Sequence, residues 1–163
     1  MSFIHINLNG DWRFAYIPSG VRLRQTPPPD AAYDILMPVP GYWDDALARL
    51  ETSANWPART TNPDYRPIAV PMNDPPPDAS LPYLTGTGWY QSTFALPPGN
   101  GNRSVFLHIG GVVMEADVWL NGKHVTHHEG RSTRFTIPLG SVRGVGENVL
   151  VVAVSNTRRD RLG

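Results

Sequence analysis

Residues 88–121 read GWYQSTFALPPGNGNRSVFLHIGGVVMEADVWLN, and Asn121-Gly122 closes the run. Three apolar stretches follow one another here, and an Asn-Gly pair sits where the chain must fold back into a fourth. An Asn-Gly pair between apolar runs is a strong hairpin signal, because a type I′ turn needs positive φ at both central residues. The pattern on each side has period two. Tyr90, Ser92 and Phe94 fall on one face of the first stretch. Val105, Leu107 and Ile109 share a face of the second, with Phe106 and His108 opposite. Ala116, Val118 and Leu120 point inward from the third, against Asp117 and Trp119. Alternation of this kind marks half-buried strands.

The flanks extend the pattern. Trp12, Phe14 and Tyr16 alternate with Arg13 and Ala15 after Asn9-Gly10. Residues 35–40 (ILMPVP) form a short extended segment that its prolines confine to a sheet edge. Lys123 to His128 returns across the hairpin, and residues 133–137 make another short strand. Residues 148–154 (NVLVVAV) are apolar on both faces, which places them centrally in a sheet covered on both sides. One short helix is expected over residues 42–50, where Trp43, Ala46, Leu47 and Leu50 recur at helical spacing. Seven or eight short strands with turns between them predict an all-β fold, an antiparallel sandwich or barrel, with no strand–helix alternation and no internal repeat.

Composition bounds the class. The 163 residues are 17% charged and 40% hydrophobic, the balance of a globular chain. Length predicts one domain. Basic and acidic residues balance at 14 each, so no cationic excess points to nucleic acid or an anionic membrane. No cysteine is present, which removes disulfides and thiolate metal sites. The opening residues lack a leader's basic and long apolar regions, and no 18-residue apolar stretch occurs. A cytoplasmic location is the expectation, although a removed leader leaves the same sequence. Of 17 prolines, only Pro138 lies beyond residue 101. The first half is therefore loop-rich, above all the proline-rich stretch of about 22–83. Within it, residues 65–70 are a candidate strand, and a long loop of this kind is often functional.

The ordered segments LNGDWRF, PVPGYWDD, GTGWYQSTFALP, RSVFLHIGGVVMEADVWLNGKHVTHHEG, STRFTIPL and ENVLVVAVSN resemble the N-terminal sugar-binding domain of family 2 glycoside hydrolases, the β-galactosidase, β-glucuronidase and β-mannosidase group. The resemblance covers about residues 5–156 and is most specific over 88–130. It implies a jelly-roll sandwich of the galactose-binding type, followed in the family by an immunoglobulin-like domain and a TIM barrel that carries two catalytic glutamates. Those C-terminal domains are the implied partners, with a carbohydrate substrate. The resemblance implies no catalytic residue and no cofactor in residues 1–163, and leaves a homo-oligomer of the full-length enzyme open. In the β-galactosidase branch an asparagine in the loop before the GxYxxxF-like strand reaches the sugar, so Asn73 is the corresponding candidate; a turn cap is its other reading. A family aspartate follows the last strand. Asp160 lies near that position, but without the expected aromatics around it.

Other residue clusters carry competing readings. Trp43, Trp56, Trp89 and Tyr83 are aromatic faces that could stack on a pyranose. Trp12 and Trp89 read as core, and Trp56, in the proline-rich loop, is the better carbohydrate candidate. Asp44-Asp45 reads as a helix cap and Glu115 with Asp117 as a solvated face. His124, His127, His128 and Glu129 suggest a metal. On a regular strand, however, one face offers only His124 and His128, too few for zinc, so exposed histidines and no metal site are expected. Arg158, Arg159 and Arg161 read as a solvated linker end. The functional alternatives to a glycosidase domain are a stand-alone carbohydrate-binding module and a structural or adhesion sandwich.

Overall fold

The computed structural model describes residues 4–18, 26–43, 49, 52, 65–69, 80–84, 86–99, 103–130 and 132–156. Among the described residues ten strands follow in chain order: β1 (Gly10–Pro18), β2 (Ile35–Val39), β3 (Tyr65–Ala69), β4 (Ser80–Leu84), β5 (Gly86–Ala95), β6 (Phe106–Ile109), β7 (Glu115–Leu120), β8 (Lys123–Glu129), β9 (Phe135–Pro138) and β10 (Glu147–Ser155). A single 3-10 turn, Asp30–Ala32, precedes β2. Six strands form one sheet in the order β2-β1-β5-β10-β7-β8, every neighbouring pair antiparallel. β6 and β9 form a second, two-stranded sheet, and β3 and β4 a third.

The alternation in the sequence decides which side chains lie between the layers. Phe14, Met37, Tyr90, Val118, Leu120, Leu150 and Val152 project from one face of the large sheet into the main core, where Ile137 and Leu139 meet them. Leu107, Ile109 and Phe135, from β6 and β9, pack against the same core. Two antiparallel layers thus bury one apolar interior, the all-β sandwich that the sequence predicts. Burying a side chain such as Phe14, fully inaccessible here, contributes about 1.5–3 kcal/mol.

β10 lies between β5 and β7 and is apolar on both sides. Leu150 and Val152 enter the main core, while Val151 and Ala153 join Ala15, Tyr33, Trp89 and Trp119 in a second cluster on the opposite face. β2 is an edge strand, as its prolines require. The hairpin turn has φ of 51° at Asn121 and 81° at Gly122, the two positive values that the Asn-Gly pair predicts.

One feature departs from the sequence reading. The proline-rich stretch contains a second strand, β4, paired with β3 so that Pro67 stands opposite Pro82. The helix expected over residues 42–50 falls mostly outside the described residues. Arg49, which is described, bonds through its guanidinium to the Asp11 carboxylate at 2.9 Å and to the Leu36 carbonyl at 3.2 Å, along the β2 edge.

Candidate functional site

A cleft of about 710 Å³ opens between the two layers, within the 300–1,000 Å³ range usual for small-ligand pockets. Its floor is the large sheet, through Trp12, Tyr90, Leu150, Val152 and Val154; β6 supplies Leu107 and Ile109 from the other layer, and Tyr42 and Trp43 close one side. Polar groups stand at its margins: Asn9, His108, Ser132 and Asn156. The Trp12 indole N–H is already committed to the Leu8 carbonyl at 2.7 Å, and the His108 Nδ1 pairs with the Thr136 hydroxyl at 2.8 Å. No carboxylate lines the cleft among the described residues. Glycoside hydrolysis needs two opposed carboxyl groups, and the described lining offers no such pair.

Trp43 is placed by an absence. Gly88 lies opposite Tyr16 on β1 and Val154 on β10, and a methyl group added there would stand 2.7 Å from Phe14 and from Trp43 ring carbons. The missing side chain leaves a slot that the Trp43 indole fills, buried, with Phe14 and Tyr16 beside it at centroid distances of 6.4 Å and 6.2 Å. Two residues earlier, Gly86 lies beneath the Tyr16 ring and against the Ile17 carbonyl. Its N–H donates to the Asn156 side-chain oxygen at 2.9 Å, and its carbonyl accepts from the Asn156 N–H at 3.2 Å.

The opposite face of the large sheet corrects two expectations. Glu115 and Asp117 do not lie on a solvated face. Glu115 is buried, and the Asp117 side chain is only 13% exposed. Asp117 Oδ1 receives His124 Nε2 at 2.9 Å and His127 Nδ1 at 3.0 Å, while His127 Nε2 stands 3.4 Å from Glu129. His124 and His127 therefore share a face, contrary to the regular-strand reading. The cause is a β-bulge: Val118 pairs with Thr126 but Trp119 with His124, leaving Val125 as an extra residue. One inserted residue shifts the side-chain alternation and turns His127 toward Asp117. His128 instead stacks on Phe135 at 3.8 Å. No group of three or more metal-binding side chains is arranged to hold an ion among the described residues.

A wholly buried amide, Asn148, opens the apolar run of β10. Asn148 Oδ1 accepts from the Asn121 side chain at 3.0 Å and the Arg143 N–H at 2.7 Å, and Asn148 Nδ2 donates to the Arg143 carbonyl at 3.1 Å. Asn121 in turn accepts the Val149 N–H at 3.0 Å. The hairpin asparagine thereby does more than make a turn. The only signal for this in the sequence is a polar residue at the head of a run of valines.

Trp12 and Trp89 are core, as expected, although Trp12 also faces the cleft. Asn73 and Trp56, the carbohydrate candidates, lie outside the described residues, as do Asp44, Asp45, Asp160 and the three late arginines; Tyr83 is described only as a backbone position in β4.

Fold and cleft together define a class: an antiparallel sandwich domain built around an apolar inter-sheet space. Residues 6–161 match the family model for the sugar binding domain of glycosyl hydrolases family 2, and the chain belongs to that family. A β-glucuronidase of Paenibacillus borealis is 32% identical over 113 residues, covering 69% of this chain and 19% of the relative. A β-glucuronidase of Felis catus is 31% identical over 109 residues, 62% of this chain and 17% of its own length. Among solved structures, a β-glucuronidase of an uncultured Clostridium sp. aligns with a TM-score of 0.59 at 26% identity, over 96% of this chain and 24% of that one. The Faecalibacterium prausnitzii β-glucuronidase gives a TM-score of 0.62 at 22% identity, over 93% and 21%. The chain thus spans about a fifth of the length of these four proteins.

Proposed function

We propose that this sandwich works within a longer family 2 glycoside hydrolase, as its non-catalytic sugar-binding domain, and that the whole enzyme hydrolyses β-glucuronides. One observation carries the reading: residues 6–161 correspond to a family domain that makes up about a fifth of relatives named β-glucuronidase. The domain buttresses a catalytic barrel and walls one side of the substrate pocket. Asn73 and Trp56, on the proline-rich segment, are the proposed sugar contacts. Contacts to a non-reacting part of the substrate supply binding energy that the chemical step can draw on.

The test is an assay of the polypeptide encoded by the full reading frame, against chromogenic β-glucuronide, β-galactoside and β-mannoside. Preferential turnover of the glucuronide is expected. A reading frame without a following barrel, or a full-length protein inert toward all three, overturns the proposal and favours a stand-alone carbohydrate-binding module.

A further inference from the structure

The cleft leaves positions that face the sandwich interior short of full cover. Leu107 and Ile109 of β6 and Val154 of β10 line it and stand half-buried, and Tyr42 at its side is 63% exposed. Two features keep it open. The large rings beside it are held within their own layer: Phe14 packs edge-on to Tyr90 at 4.8 Å, and Trp43 lies against Phe14 and Tyr16. Directly after β6 the chain offers only Gly110 and Gly111 as lining, and a Cβ added at Gly110 would meet nothing within 4 Å.

The walls narrow what can enter. None of the described lining residues is lysine, arginine, aspartate or glutamate. A charged ligand would lose its hydration there and find no counter-ion. The polar groups at the margin are largely committed: the Trp12 indole N–H to the Leu8 carbonyl, His108 Nδ1 to the Thr136 hydroxyl, and the Asn156 side-chain oxygen to the Gly86 N–H. A sugar would bring several hydroxyls and leave most of them unbonded. Facing β layers lie about 10 Å apart with their side chains between them, so the gap admits a thin molecule. Trp12, Tyr42, Trp43 and Tyr90 supply aromatic surface for it.

We propose that the cleft is a binding site for an uncharged, flat aromatic molecule with few hydroxyl groups, enclosed by Trp12, Trp43, Leu107, Ile109 and Val154. This goes beyond the sugar-binding reading and does not depend on it.

The test titrates the isotope-labelled 163-residue chain with 2-naphthol and follows the indole N–H signals by NMR. Trp12 and Trp43 line the cleft, whereas Trp89 and Trp119 belong to the cluster on the opposite face of the large sheet and serve as internal controls. Saturable shifts of Trp12 and Trp43 are expected, with a Kd of about 100 μM for a ligand of this size, while Trp89 and Trp119 stay in place. The carboxylate of the same ring, 2-naphthoate, binds at least about tenfold more weakly, and methyl β-glucuronide moves neither Trp12 nor Trp43. Val154→Phe fills the cleft from β10 and Ile109→Phe fills it from β6. Either variant, once its spectrum shows a folded chain, weakens naphthol binding at least about tenfold by occupying the space. Val149→Phe, on the other face of β10, leaves the affinity unchanged. Shifts spread equally over all four tryptophans, naphthoate or the glucuronide binding as tightly as naphthol, or undiminished binding in a folded filled variant overturns the proposal. If neither filled variant folds, the ligand comparison on the unaltered chain decides alone.

Discussion

Replacing Asn148 by alanine tests whether the buried amide, rather than the valines around it, fastens β10 to its loop. The side chain is fully inaccessible and makes three hydrogen bonds, to the Asn121 amide and to the N–H and carbonyl of Arg143. Each is worth about 1 kcal/mol net, and any partner left dry adds its own desolvation cost, so Asn148→Ala lowers stability by about 3–4 kcal/mol. With a urea m-value of about 2 kcal/mol per molar, the unfolding midpoint falls by about 1.5–2 M at unchanged m. Tryptophan fluorescence reads the transition, since Trp89 and Trp119 lie on either side of β10. Asn121→Ala breaks the shared Asn121–Asn148 bond from its other end. The double variant is therefore less destabilised than the sum of the two by about 1 kcal/mol. A loss for Asn148→Ala under about 1 kcal/mol, or strict additivity of the pair, refutes the reasoning.

Other outcomes follow from single groups. The Asp30 carboxyl accepts from the Arg13 guanidinium, which holds its pKa below the ordinary 3.8. Its contribution is complete above that value and is lost as the pH falls through the lowered one. Carboxyl NMR titration gives a midpoint below 3.8, and Arg13→Gln shrinks the displacement. Burial pushes the Tyr33 phenol well above its ordinary 10.0. The fold therefore favours the neutral phenol, a contribution complete below pH 10 and lost as the pH climbs further. Tyr33→Phe removes this alkaline dependence in unfolding curves. It also removes a buried hydroxyl that has no hydrogen-bond partner among the described residues, so at neutral pH stability stays level or rises by about 1 kcal/mol. Gly122→Ala places a side chain at φ 81° and costs about 1 kcal/mol by the same denaturation assay.

Much of the sandwich is legible because local rules and tertiary structure agree. The Asn121-Gly122 turn, the half-buried alternation of Tyr90 and Phe94, and the double-sided apolar run of β10 each state a structural fact in a few residues. The misreadings share a cause. His127 shares the face of His124 because the bulge at Val125 arises from pairing with β7, which period-two counting along one strand cannot register. Glu115 and Asp117 look solvated in isolation, since nothing in EADVWL shows that the second face of the large sheet is also covered. The seat of Trp43 was invisible for a similar reason. It needs Gly88, far along the chain, to lie opposite Tyr16. Asn73, which the family resemblance implies, and Trp56, an aromatic of the loop, sit in a proline-rich stretch with no periodicity to locate them and lie outside the described residues.

The comparison that decides the account sets the 163-residue chain beside the complete polypeptide at equal molar concentration, with a chromogenic β-glucuronide as substrate. The complete polypeptide should release the chromophore, and the isolated chain should match the buffer blank. Enzyme-dependent turnover by residues 1–163 alone would contradict the assignment of this sandwich to a supporting, non-catalytic part.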